Sequence, residues 1–151
     1  MADMLEVDVT YAARRPWVPR RAQFETWAGA ALTGVKRSNV LSVRVVGAAR
    51  SRSLNAQYRN KDRPTNVLSF SGAGLSPDGL NYLGELVICA PVVAREAILQ
   101  GKSSESHWAH ITLHGVLHLL GFDHERHAEA EKMAAREIQI LDRLGFSDPY
   151  V

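Results

Sequence analysis

Three of the six histidines fall in one short segment, HGVLHLLGFDH, residues 114–124, and their spacing constrains everything around it. His114 and His118 are four apart, so on a helix both imidazoles project from one face within reach of a single ion. Gly121 stops that helix in the C′ role, where positive φ is easily adopted, and lets the chain double back. His124 follows three residues later and closes a third ligand position. Three neutral imidazoles leave a tetrahedral Zn²⁺ one position for water, the pattern of a catalytic rather than a structural site. Zinc is favoured over iron, whose sites more often exchange one His for a carboxylate. Asp123 and Glu125 flank His124, and either could accept the second N–H of a ligand imidazole and fix its tautomer.

What the segment lacks is equally informative. The pattern HExxHxxGxxH of zinc peptidases carries a Glu base directly after the first His, and here that place is Gly115. A peptidase would need its base from elsewhere. Metal-bound water, with its pKa lowered to about 7, can still act without one.

The rest of the chain supplies a scaffold for such a helix. Leu5, Val7 and Val9 alternate with polar residues as a strand does, and so do Leu41, Val43 and Val45. Between them Pro19 opens a helix to about Leu32, with Phe24, Trp27, Ala28, Ala31 and Leu32 on one face. Ser51 is placed to cap a short helix carrying Leu54 and Tyr58, and Pro64 ends what precedes it. Val67–Phe70 reads as a short strand, the following SGAGLSPDG as a loop, and Leu83–Cys89 as a fourth strand. Pro91 suits the first turn of the next helix. Two further helices span about Ser104–Leu120 and Ala128–Leu144, the last with Met133, Ala134, Ile138 and Leu141 as its apolar stripe. The order β-α-β-α-β-β-α-α-α describes an α+β fold, a single domain over residues 1–151 with one sheet and helices packed on it.

Composition narrows the function. At 46% hydrophobic residues and a net charge of +2, the chain buries a core and is not a disordered segment. No uncharged apolar run approaches the roughly 20 residues of a membrane span. Asp3, Glu6 and Asp8 stand where a signal peptide would be basic and then apolar, and Cys89 is the one cysteine, so a cytoplasmic protein is expected. Residues 1–65 hold 12 Lys and Arg against 5 Asp and Glu; residues 66–151 hold 6 against 11. A basic half in a near-neutral chain points to a polyanionic partner. Within it, LNAQYRNKDRPTNVLSF (54–70) sets Arg59, Lys61 and Arg63 beside Tyr58 and upstream of Phe70, cations for phosphate contact and rings for base stacking. His107, His110 and Glu85 read as packing or surface residues, and Cys89 as a small buried hydrophobe.

The segments LNAQYRNKDRPTNVLSF, LGELVI (83–88), HWAH (107–110) and HGVLHLLGFDH together resemble the YbeY family of bacterial endoribonucleases, from about Val40 to the final DPYV. The resemblance implies a zincin-like fold, a mixed four-stranded sheet with the metal-binding helix lying across it. It implies one Zn²⁺ on His114, His118 and His124, with Arg59 as the functionally important arginine and Arg59 and His114 as candidate catalytic residues. It also implies cleavage of single-stranded RNA near the 3′ end of small-subunit rRNA, ribosome quality control, and work alongside the small subunit and its assembly factors. Phe122 stands where the family often has Tyr, Asn66 where it often has Asp, and SGAG where it often has a Pro after the Phe. Two other readings fit the same residues: an assembly factor with a structural zinc, and a zinc hydrolase acting on a substrate other than RNA.

Overall fold

The structure is a computed structural model, and it describes residues 4–35, 37–122 and 126–151. The elements follow the order β1 (Leu5–Tyr11), α1 (Arg21–Ala31), β2 (Ser38–Val46), α2 (Ala48–Arg59), β3 (Val67–Leu75), β4 (Leu80–Cys89), α3 (Ala90–Leu99), α4 (Ser104–Leu119) and α5 (His127–Arg143). This is the α+β arrangement expected from the hydrophobic periodicities. The four strands form one mixed sheet in the order β1-β2-β4-β3, with β1, β2 and β4 parallel and β3 antiparallel to β4. β3 is therefore an edge strand, and the turn joining it to β4 is the short Ser76–Gly79 segment, where the Gly79 N–H donates to the Ser76 carbonyl.

Alternate residues of each strand point to opposite faces, and each face is buried differently. Val7, Leu41, Val43, Val45, Leu86 and Ile88 meet Phe24, Trp27 and Ala28 of α1 and Trp108, Leu113, Val116 and Leu117 of α4 in the main core. Phe24 stands edge-on to both Trp27 and Trp108, with ring centroids 5.9 and 6.1 Å away. The other face is smaller: Val46, Leu68, Val87 and Cys89 pack with Val92 of α3, and Leu54 of α2 and Phe70 lean against them. α2 and α4 thus lie on opposite faces of the sheet.

Three local expectations are corrected. α2 begins four residues earlier than a Ser51 cap allows, with Gly47 at its N-cap. Ser51 is instead buried inside the helix, where its hydroxyl donates to the Thr65 carbonyl and accepts from the Thr65 N–H. Asn55, one turn on, donates to the Arg63 carbonyl, so two buried polar side chains of α2 fix the backbone of the loop that follows it.

The Gly-rich stretch after Phe70 is not a loop but a continuation of β3 through a bulge between Ser71 and Gly74. The glycines are what permit it. A Cβ on Gly72 would stand 2.5 Å from the Tyr82 carbonyl oxygen, and one on Gly84 2.1 Å from that of Phe70. The apolar stripe of α5 is also rotated: Met133, Ile140 and Leu141 are buried and Ala134 and Ile138 only partly so, while a glutamate, Glu137, occupies the buried position between them.

Gly84 carries a testable consequence. Its φ of +142° is strained for any L residue, and its Cβ would strike backbone that cannot rotate away. Gly84→Ala is expected to cost about 3 kcal/mol in chemical denaturation, combining backbone strain with overpacking. A change below 0.5 kcal/mol would contradict the close pairing of β3 and β4.

Candidate metal centre and nucleic-acid interface

α4 starts at Ser103, whose side chain accepts from the Ser106 N–H, and stops at Gly121, which takes φ +100°. Between these ends the helix buries one side completely, and the close approach is made possible by Gly115: a Cβ there would lie 2.7 Å from Leu86 Cδ2. The place that holds a Glu base in zinc peptidases is therefore filled here by sheet packing. The same turn brings Ser69 of β3 within 3.4 Å of the Gly115 carbonyl oxygen. With that side sealed, His110, His114 and His118, at i, i+4 and i+8, form one partly exposed stripe. The His114 and His118 rings meet edge-to-face with centroids 4.7 Å apart, as their i, i+4 spacing on one helix face requires. His124, Asp123 and Glu125 lie outside the described residues.

The sequence reading missed what stands behind this stripe. Glu137 of α5 is fully buried, yet its carboxylate is surrounded by donors: His110 Nε2 at 3.1 Å, His114 Nδ1 at 3.2 Å, and the Tyr150 hydroxyl at 2.7 and 3.0 Å from its two oxygens. Burial alone would raise its pKa, but the hydrogen bonds from His110, His114 and Tyr150 outweigh burial and bring it down to about 2. Tyr150 is shifted the opposite way, far above its ordinary value, first by burial and then by its bond to the Glu137 carboxylate. Lys102 holds the C-terminal segment in place by donating to the Pro149 carbonyl at 2.8 Å.

Engagement of Nδ1 by the carboxylate fixes Nε2 as the nitrogen of His114 that would ligate a metal, the carboxylate–histidine relation common to zinc sites. The donor set fits a divalent cation. His110, His114 and Glu137 each offer one ligand atom, all within 4.8 Å of one another, and could hold a metal ion.

A second buried cluster has a different role. His107 Nε2 is 2.9 Å from Glu96 Oε1, and Asn66 donates to the same carboxylate at 3.1 Å. Burial works to raise the Glu96 pKa, and the bonds from His107 and Asn66 lower it on balance. This cluster ties α3, α4 and the start of β3 together, so His107 is a packing residue, as expected. Asn66 also explains itself: an Asp there would set a second carboxylate against Glu96. Cys89 is buried, its thiol pushed up in pKa chiefly by desolvation.

The basic segment is built on α2. Arg59 is the last residue of that helix and is exposed, Asn60 turns the chain at φ +59°, and Lys61 and Arg63 follow on the exposed loop. Arg52 grips Asp62 through two bonds of 2.7 and 3.0 Å, and Asn55 holds the Arg63 carbonyl, so the three cations sit on a braced loop. α2, which ends at Arg59, and α4, which carries the histidine stripe, pack on opposite faces of the sheet, whose edge strand is β3. Tyr58 and Phe70 meet edge-to-face at 5.1 Å. Glu85, expected at the surface, faces away from α4. It is on the α2 side, where one Arg44 nitrogen is 3.1 Å from each of its oxygens.

The family model for endoribonuclease YbeY matches residues 18–145. The chain belongs to the YbeY family. It is 52% identical over 151 residues to the endoribonuclease YbeY of Stenotrophomonas maltophilia (strain R551-3), covering 97% of this chain and 93% of that one. It is 45% identical over 148 residues to that of Nitrosococcus oceani, covering 97% of each chain. The solution structure of TM1509 from Thermotoga maritima matches with a TM-score of 0.57 over 94% of this chain and 92% of the other, at 21% identity, a likeness of fold. No helix among the described residues is long and apolar enough to cross a membrane.

The Glu137 network sets a pH dependence. A carboxyl whose folded pKa is depressed from 4.5 to about 2 stabilises the fold above its unfolded pKa, and that contribution disappears as pH falls through 2. In metal-free protein, wild type should lose about 3 kcal/mol more than Glu137→Gln between pH 5.5 and 2. Parallel stability curves for the two proteins would contradict an ionised, donor-bound carboxylate.

Proposed function

We propose that this chain is a zinc-dependent endoribonuclease acting on single-stranded RNA. The observation that carries the reading is the buried Glu137 carboxylate behind His114, which presets the ligating nitrogen of a motif histidine in a chain of the YbeY family. His114, His118 and His124 would hold one Zn²⁺, with Glu137 outside the ligand set, since the hydroxyl of Tyr150 and the imidazole of His110 already occupy its oxygens. When bound, the ion supplies Lewis-acid polarisation of the scissile phosphate and a water of lowered pKa.

The chain's own residues do the rest. His114 keeps its Nδ1 proton toward Glu137. Arg59 brings a guanidinium to the far side of the edge strand, suited to charge that grows on phosphoryl oxygens. Lys61 and Arg63 extend that cationic rim along the backbone of a substrate strand. Gly115 stands where zinc peptidases carry their Glu base, so the reaction relies on the bound water or on the 2′-hydroxyl of the RNA; a 2′,3′-cyclic phosphate product would identify the latter.

The natural substrate is precursor rRNA, cut near the 3′ end of the small-subunit molecule in ribosome maturation and quality control. The partners are the small subunit and its assembly factors, and the setting is the cytoplasm. What supports this is the family membership together with the basic half of the chain.

Two measurements on the same preparations test the reading. Zinc-loaded wild type should cleave a single-stranded precursor-rRNA fragment, Arg59→Ala should do so about 10²-fold more slowly, and His114→Ala should not cleave at all. In parallel, His114→Ala should lose the bound zinc and His110→Ala should retain it. Cleavage by zinc-free His114→Ala would overturn the metal mechanism. Loss of zinc in His110→Ala would move the ion to His110, His114 and Glu137.

A further inference from the structure

The face of the sheet turned away from the histidines carries a feature that the metal centre does not use. Between α2 and the outer side of β3 and β4 runs an open groove of about 380 Å³, lined by Arg44, Arg50, Leu54, Tyr58, Phe70 and Glu85 among others. It shares Phe70 and Glu85 with a neighbouring hollow of about 340 Å³ that continues to Tyr82 at the bulge of β3. Tyr58 is 60% exposed although Leu54, one turn earlier on the same helix, is partly buried against the sheet. Phe70 braces it edge-on at 5.1 Å, so an exposed ring is held in place without being covered. Arg50 stands in the first turn of α2, exposed. Arg44 is oriented by Glu85, which engages one nitrogen of its guanidinium and leaves both side chains about one-third exposed.

We propose that this groove is a second single-strand RNA subsite, in which Tyr58 stacks a nucleobase and Arg50 and Arg44 contact the flanking phosphates. The inference deepens the endoribonuclease reading and rests on it. An exposed aromatic ring between arginines is the combination that binds single strands without reading sequence, because every base has a π-face and every linkage a charge. Among the described residues lining the groove, Glu85 is the one acidic side chain, and it is already paired. The groove joins the metal centre through adjacent residues of one strand. Phe70 lines the groove, and Ser69 beside it touches the Gly115 carbonyl, next in sequence to His114. An RNA strand crossing the β3 edge would pass from the histidines to Tyr58, with Arg59, its neighbour in sequence, at the crossing.

Equilibrium binding separates this subsite from the chemistry. Fluorescein-labelled single-stranded RNA is titrated by anisotropy against metal-free wild type, Tyr58→Ala, Tyr58→Phe, Arg50→Ala and the α5 surface variant Arg136→Ala, each checked by thermal melting. Tyr58→Ala and Arg50→Ala should each weaken binding about tenfold, while Tyr58→Phe and Arg136→Ala remain within twofold of wild type. A folded Tyr58→Ala that binds as wild type does overturns the subsite, and if wild type still cleaves RNA, the endoribonuclease reading stands without it. Wild type that neither binds nor cleaves single-stranded RNA defeats both. If Tyr58→Ala binds RNA normally but loses a protein of the small subunit, the groove is a protein interface and the RNA subsite is wrong.

Discussion

The Glu137 carboxylate is the interaction on which the rest of the site depends. Buried without partners it would cost several kcal/mol or become protonated. It remains ionised because donors converge on it from α4 and from the C-terminal segment. That convergence joins α5 and the chain's end to the helix bearing the histidine stripe. Removing Tyr150 or His110 would therefore act on His114 through the carboxylate, although neither stands in the three-histidine set. The arrangement also divides the labour along the stripe: His110 serves the network, and His114 serves both the network and the proposed ion.

Placement of the stripe follows from sheet packing. Gly115 lets α4 descend on Leu86, and the sealed side of the helix leaves the 110–114–118 line partly open. Edge strand β3 then separates two kinds of chemistry, imidazoles on one face and arginines with aromatic rings on the other. Its bulge, made possible by Gly72 and Gly84, ends the regular pairing next to the groove. A strand of RNA is the polyanion that could use both faces at once, because it is narrow enough to follow an edge.

Much of this was legible in the residues. Period-two alternation marked the strands and the apolar faces marked the long helices, so element order and fold class followed directly. The histidine spacing and its terminating glycine placed His114 and His118 together on α4. The misreadings share a physical cause: tertiary contacts overrode local chemistry. Ser51 looked like a cap because Ser caps helices, but its hydroxyl is used by the Thr65 backbone. SGAG looked like a loop because glycines make loops, but here they permit close strand pairing. Glu137 was hidden for a related reason. A glutamate on an amphipathic helix is ordinarily exposed, and only the stripe Met133, Glu137, Ile140, Leu141 placed it on the inner face. The signal was the i, i+4 spacing from Met133 and to Leu141, which puts Glu137 in line with buried residues on both sides.

The central claim is that Glu137 sets the tautomer of His114 before any metal arrives. The direct measurement is the pair of ¹⁵N chemical shifts of the His114 ring in metal-free protein near pH 8, with Glu137→Gln beside it. The expected result is a protonated Nδ1 and an unprotonated Nε2 in wild type, with mixed tautomers in the variant. A wild-type His114 protonated on Nε2 would contradict the account, since the nitrogen assigned to the metal would then carry the proton.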